Sequence, residues 1–293
     1  MNRRHFLRTS ILGSLAVPAI PAFALAPDNP YRKNIGIQLY TLRNQIKADL
    51  SGTIAAVAAA GYRQAEPYGF PDATALDLVK AARDNGMEVN SSHFAWESVT
   101  DPDKPGTAPF AEILGKAKDA GLSHLVIPYL HADTRKTADD YRRIAERCNA
   151  AAALAKEAGI QLAYHNHQFE FQPLEGGGTG FEVFAETFVP EMKFELDVFW
   201  VKVGGLDPVE LLGRLKGRVS QVHLKDLKAG IALPEFGKLP EDAFKELGQG
   251  VIAMEPIIEV AAAAGVVHAH VEQDQSPDPL ASIRTSIEYL KGL

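Results

Sequence analysis

The sequence predicts an α/β protein, a single-domain (β/α)8 barrel, on three observations. Helical stretches end repeatedly in a glycine that leads straight into an apolar run. Eight apolar runs alternate with eight helical ones, and no glycine-rich loop follows the first run. The junctions are Ala60-Gly61-Tyr62, Asn85-Gly86-Met87, Ala120-Gly121-Leu122, Ala158-Gly159-Ile160, Lys216-Gly217-Arg218 and Ala264-Gly265-Val266. Glycine there suits the left-handed cap that closes a helix. Strands are predicted at 35–39, 64–67, 88–91, 124–128, 161–165, 193–197, 221–225 and 267–272. Helices are predicted at 49–60, 73–85, 109–120, 138–158, 180–188, 208–215, 251–264 and 279–291.

The main competitor is an open doubly wound sheet. That fold carries a glycine-rich phosphate loop after its first strand, whereas here the first strand runs into Tyr40-Thr41-Leu42-Arg43. No linker or shift of composition divides residues 34–293, so one domain is expected. Two loops are long: 168–180, with Gly176-Gly177-Gly178, and 226–250, with Gly230, Gly237, Gly248 and Gly250. Both follow strands and so fall on the C-terminal face of a barrel, where long loops shape or cover a pocket.

The chain has 293 residues, 46% hydrophobic and 23% charged, which fits an ordinary globular protein and gives no hint of disorder. A net charge of -7 argues against a nucleic-acid backbone as partner. The single Cys148 excludes an intramolecular disulfide and reads as a small buried hydrophobe in an Ala-rich helix.

Residues Asn2-Arg3-Arg4-His5-Phe6-Leu7-Arg8 resemble a twin-arginine export signal. The moderately apolar stretch that follows is broken by Gly13, Pro18 and Pro21, too short and interrupted to span a membrane. Cleavage after Ala24 is expected, because Ala22-Phe23-Ala24 offers small residues and the alternative site would leave Pro27 just beyond the cut. Residues 1–24 would then be the signal, 25–33 a linker and 34–293 the barrel. The mature chain keeps 27 basic against 37 acidic residues, a net charge of −10. The resemblance implies a folded, cofactor-loaded protein sent to the periplasm, or tethered to the inner membrane if the signal stays.

Polar residues stand where the last four strands end. Side chains at i and i+2 of a strand share a face. His165 and His167, Glu195 and Asp197, Gln221, His223 and Lys225, and His268, His270 and Glu272 therefore point the same way on their strands. So many inward polar groups call for a compensating ion or a wet pocket. Asp197, His223 and Glu272 are the expected ligands of one divalent metal. His165 is the expected fourth, with His167 and Glu170 as alternatives on the same loop. Carboxylate and imidazole suit Mn, Mg, Co or Zn alike. Glu66, ending the second strand, and His93, ending the third, are candidates for substrate contact. Trp200 is a candidate for stacking on a substrate.

The stretches Tyr164-His165-Asn166-His167, Leu196-Asp197-Val198-Phe199-Trp200, His223-Leu224-Lys225-Asp226 and Val271-Glu272-Gln273-Asp274 resemble those of the xylose isomerase-like sugar phosphate isomerase/epimerase superfamily, over residues 34–293. The resemblance implies one metal held by Glu, Asp, His and Glu from strands five to eight. Asp197, His223 and Glu272 match the last three, while His165 stands where a Glu is usual. In epimerase members two metal-bound glutamates exchange protons with substrate, so the loss of one tells against a two-base epimerase.

The expected activity is a metal-dependent sugar isomerase/epimerase, working through proton abstraction and a metal-stabilised enediolate. Glu272, or one of His165 and His167, would be the acid/base group, and Lys225 would steady the oxyanion. The alternatives are a lyase or dehydratase acting on a keto-sugar or 3-keto-glycoside, and a non-catalytic sugar-binding protein. The expected partner is a small carbohydrate, with no nucleic acid and no stable membrane insertion after signal cleavage. The oligomeric state is open, a homo-oligomer included.

Overall fold

In the computed structural model, residues 29–293 are described, apart from Lys33, Val267 and the side chain of Arg32. The export signal read at 1–24 lies outside the described residues, as does most of the linker at 25–33.

Eight short parallel strands form the barrel: β1 (Gly36–Gln38), β2 (Gln64–Glu66), β3 (Ser91–His93), β4 (His124–Ile127), β5 (Gln161–His165), β6 (Lys193–Asp197), β7 (Val219–Leu224) and β8 (His268–Val271). Continuous pairing runs β2-β1-β8-β7-β6-β5-β4-β3. The seam between β2 and β3 is closed by single bridges, Gln64 to Glu88 and Phe70 to Phe94, and by His93 N–H donating to Pro67 O at 3.0 Å. Helices fill the connections and cover the outside. Among the described residues no helix is long and apolar enough to cross a membrane.

The local signals work as sequence chemistry requires. All six junction glycines adopt positive φ, between 65° and 109°. Helix starts are set by side-chain caps: Asp49 accepts from Gly52 N, Asp72 from Ala75 N, and Thr137 and Thr179 each form a reciprocal capping box. Outward strand residues such as Ile37, Leu125, Leu162, Phe194, Leu196 and Val222 are buried under the helices.

The short helices Arg43–Ala48 and Glu97–Thr100 go beyond the expectation, and three further details differ from it. The third strand is Ser91–His93 rather than 88–91, because Glu88 makes only an isolated bridge and the ladder to β4 begins at Ser91 opposite His124. His93 is therefore within the strand. A short helix, Val198–Val203, follows β6 directly. The 226–250 loop contains a small antiparallel pair, Asp226–Leu227 with Phe244–Lys245. That loop is gathered by Asp226, whose carboxylate accepts from the N–H of Leu227 (2.8 Å), Gly248 (3.0 Å), Gly250 (2.9 Å) and Ile252 (2.9 Å). A Cβ at Gly250 would collide with Asp226 Oδ1 and Leu227 O, so this close approach requires glycine.

Candidate metal centre and active site

Parallel register brings the strand tips together. Asp197 lies opposite His223, and Val271 opposite Leu224, so Glu272 emerges beside them. His165 ends β5, one strand away. One donor atom from each of His165, Asp197, His223 and Glu272 falls in a group whose members all lie within 4.8 Å of one another, and all four residues are buried.

Each is held by its own local device. Asp197 divides its carboxylate. Oδ1 caps the helix Val198–Val203 by accepting from Phe199 N (2.9 Å) and Trp200 N (3.1 Å), while Oδ2 faces His165 Nε2 at 3.2 Å. The Asp197 backbone is clamped by Asn166, whose Oδ1 accepts from Asp197 N (3.0 Å) and whose Nδ2 donates to Asp197 O (3.3 Å). His223 Nδ1 lies 2.8 Å from Glu272 Oε2.

These spacings fit a divalent cation. Donors about 2.1 Å from one ion sit about 3 Å apart at right angles and about 3.4 Å apart in a tetrahedron. The 3.2 Å and 2.8 Å contacts match such edges. Charge points the same way. Asp197, Glu272 and Asp274 converge on one ammonium, that of Lys225, at 3.0, 2.7 and 3.1 Å. Below them, among the described residues, Glu66 and Glu195 have only imidazoles as ion-pair neighbours. A mixed imidazole and carboxylate set of this size could hold a metal, and the donor types do not select which one.

The electrostatics follow from burial and neighbours. Burial opposes charge at every site, but partners overrule it at most. Carboxylates hold His223 well above the ordinary histidine value, through Glu195 and Glu272, and His93 above it, through Glu66 and Glu195. Lys225 is pushed up by Asp197, Asp274 and Glu272. Asp197 and Glu272 fall below ordinary carboxylates, chiefly because of Lys225. His167 behaves differently. Burial, reinforced by His165 and Lys225, drives it well below the ordinary value, so it is neutral near pH 7. Its Nδ1 is buried without a partner.

Above the cluster opens a cavity of about 530 Å³, within the range of small-molecule sites. His93, His165, His167, Trp200, Lys225 and Glu272 reach it, and Tyr40, Tyr68, Trp96, Tyr129 and Phe244 supply apolar walls. Trp200 lies 5.4 Å from the His167 ring, and its indole N–H is buried and unpaired. Arg43 lies over Tyr40, 4.4 Å from its centroid, and its guanidinium donates to Tyr40 O (3.0 Å) and Asp274 O (2.8 Å).

Two expected residues stand elsewhere. Glu66 does not line the cavity. It is fully buried beneath it and accepts from Gln38 Nε2 (2.9 Å), the Ser91 hydroxyl and His223 Nε2 (2.8 Å), because β2 ends below the mouth. Glu170, an alternative ligand, turns away to meet the Tyr164 hydroxyl and the His167 backbone N–H (2.8 Å). Glu195, Gln221, Asn166 and Asp274 were not singled out as site residues. Alternation alone placed Glu195 and Gln221 inward, two residues before Asp197 and His223. Nothing in the sequence distinguished the bridging role of Asn166.

An eight-stranded parallel barrel whose mouth gathers carboxylates and imidazoles beneath a small-molecule cavity defines a class of TIM-barrel enzymes. The chain belongs to the xylose isomerase-like TIM barrel family, whose model matches residues 54–293. It is similar to the inosose dehydratase of Clostridium perfringens, 26% identical over 263 residues that cover 81% of this chain and 88% of the other. It is also similar to the crystal structure of a sugar phosphate isomerase/epimerase from Parabacteroides distasonis, with a TM-score of 0.71 and 26% identity, covering 94% of this chain and 98% of that one. The IolI protein, solved with a bound zinc atom, shares the fold at a TM-score of 0.66 and 13% identity, covering 88% of this chain and 98% of that one.

Proposed function

We propose that this protein is a metal-dependent lyase that eliminates a β-substituent from a keto-cyclitol, keto-sugar or keto-glycoside. The observation that carries the reading is the meeting of Glu272, His167 and Lys225 on one cavity beside His165, Asp197 and His223. When bound, the divalent ion would polarise adjacent substrate oxygens and make the neighbouring C–H more acidic.

The chain's residues divide the remaining work. Neutral His167, which reaches the cavity, takes the proton from the carbon next to the carbonyl. Glu272, kept ionised by Lys225 and His223, is the alternative base. Lys225 faces the oxyanion that develops as the proton leaves. Trp200, which lines the cavity, lies against the ring. His93, also at the cavity, contacts a substrate hydroxyl. The apolar walls leave room for a substituent beyond a single sugar ring.

Elimination is favoured over epimerisation by two facts. The metal group offers His165 where the family resemblance leads one to expect a second glutamate base. The curated relatives that cover most of the chain are dehydratases. The isomerase/epimerase reading keeps support from the Parabacteroides structure. Periplasmic export through residues 1–24 is part of the proposal and is checked by fractionation of cells expressing the full chain.

The test is a panel of keto-cyclitols, keto-sugars and 3-keto-glycosides, incubated with Mn-, Mg-, Co- or Zn-loaded protein in D2O and followed by NMR. An unsaturated ketone formed with loss of the β-substituent is expected. An epimer or isomer formed without that loss would replace lyase by isomerase. Binding with no C–H exchange on any compound would leave a carbohydrate-binding protein.

A further inference from the structure

Beneath the metal group lies a second buried cluster, joined to the first through a single imidazole. His223 Nδ1 faces Glu272 Oε2 at 2.8 Å, while Nε2 faces Glu66 Oε2 at 2.8 Å and Glu195 Oε1 at 3.1 Å. We propose that Glu66 and Glu195 are positioning residues that keep the His223 proton on Nε2, so that Nδ1 presents its lone pair to the metal. The inference rests on the metal-centre reading above.

A neutral imidazole carries one N–H, and its other nitrogen is the acceptor or ligand. Two carboxylates stand on the Nε2 side. One stands on the Nδ1 side, and Lys225 draws on its charge from 2.7 Å. The proton is therefore better held at Nε2. A carboxylate behind a ligating histidine fixes tautomer and ring orientation, and strengthens the ligand.

Glu66, Glu195, His223 and His270 also form a group whose donor atoms lie within 4.8 Å of one another, and His270 Nδ1 has no hydrogen-bond partner. Spacing alone would admit a second ion there. The hydrogen bonds argue against it. Glu66 already accepts from Gln38 Nε2 (2.9 Å), Gln221 Nε2 (3.2 Å) and the Ser91 hydroxyl. Glu195 accepts from Gln221 Nε2 (2.6 Å) and meets His93 Nε2 (2.8 Å). Uncharged Gln38, Gln221 and Ser91 aim the two carboxylates without cancelling their charge. This suits an orienting role rather than an open coordination shell.

The experiment measures metal binding and proton position rather than turnover. Purified full-length protein, wild type and the variants Glu195→Gln and Glu66→Gln, is titrated with Co(II) by calorimetry. Each variant is expected to fold, to bind one ion, and to bind it about 10- to 100-fold more weakly. Histidine 15N NMR of the zinc-loaded wild type supplies a readout that a merely structural role would not move. It should show His223 protonated at Nε2 and metallated at Nδ1, and this measurement stands even if neither variant folds. Variants with unchanged affinity would overturn the inference while leaving the metal centre intact, and a wild type carrying the His223 proton at Nδ1 would overturn it and remove His223 Nδ1 from the ligands. Two ions per wild-type chain, one of them lost in His270→Ala, would make Glu66 and Glu195 ligands instead. A wild type that takes up no divalent ion would remove the metal-centre reading and this inference with it.

Discussion

On their outward faces the barrel strands carry Ile37, Leu125, Leu162, Tyr164, Phe194, Leu196 and Val222, packed under helices. On their inward faces the same strands carry Gln38, Glu66, Ser91, His93, His165, Glu195, Asp197, Gln221, His223 and His270. Barrels of this architecture ordinarily fill the interior with branched aliphatic side chains. Here burial by hydrophobic transfer is left to the outer layer. The inner layer contributes little net stability, because desolvating so many polar groups offsets their mutual attraction. Two layers of equal burial therefore have different work: the outer holds the fold, and the inner holds charges in place.

Substitutions should separate the two layers. His223→Ala is expected to have the largest effect. It removes the imidazole shared by Glu66, Glu195 and Glu272, so the metal is lost and stability falls by about 3–5 kcal/mol, as when a buried pair is broken from one side. Elemental analysis with urea unfolding checks both, and stoichiometric metal in the variant would contradict the assignment. Lys225→Met should keep the metal but lower turnover about 100-fold by withdrawing the charge that faces the oxyanion. Steady-state kinetics on the substrate found by the panel would show it, and an unchanged kcat would exclude the role. Phe194→Ala acts on the other layer. Phe194 stacks on Phe181 at 4.9 Å, so its loss should destabilise by about 3–5 kcal/mol and leave metal content per folded chain unchanged. A loss of metal in that variant would show that the layers are not separable.

The outer layer was more legible in the sequence than the inner one. Glycine caps and apolar runs are local signals, and they located seven of the eight strands; only the third, at Ser91–His93, was displaced. Alternation put Asp197, His223 and Glu272 on inward faces, where the structure brings a donor atom of each near one from His165. It could not say how deep each side chain would sit, because depth depends on the stagger between strands. For that reason Glu66, expected at the mouth, lies beneath it. Glu170 was misplaced for another reason: its partner Tyr164 lies six positions back on the outward face, a contact that no strand periodicity encodes.

Glu170 also sharpens the contrast, as a carboxyl on the apolar side of the barrel with no cation in hydrogen-bonding contact among the described residues. Burial pushes it up to about 8, against the opposing bonds from Tyr164 and the His167 backbone. The folded chain thus keeps a proton that the unfolded chain, with an ordinary value of 4.5, releases. Between those values the folded state binds more protons, so this group makes stability fall as pH rises, at most about 1.4 kcal/mol per pH unit. Glu170→Gln preserves the geometry, since its amide donates to the Tyr164 oxygen and its carbonyl accepts from His167 N–H. Histidines titrate in the same window, but they do so in both proteins, and the difference between the two isolates Glu170. Urea unfolding from pH 5 to 9 should show the variant gaining on the wild type steadily toward pH 8 and levelling beyond it. A gap that stays constant with pH would mean that Glu170 is ionised in the fold and that a charge is tolerated in the outer layer after all.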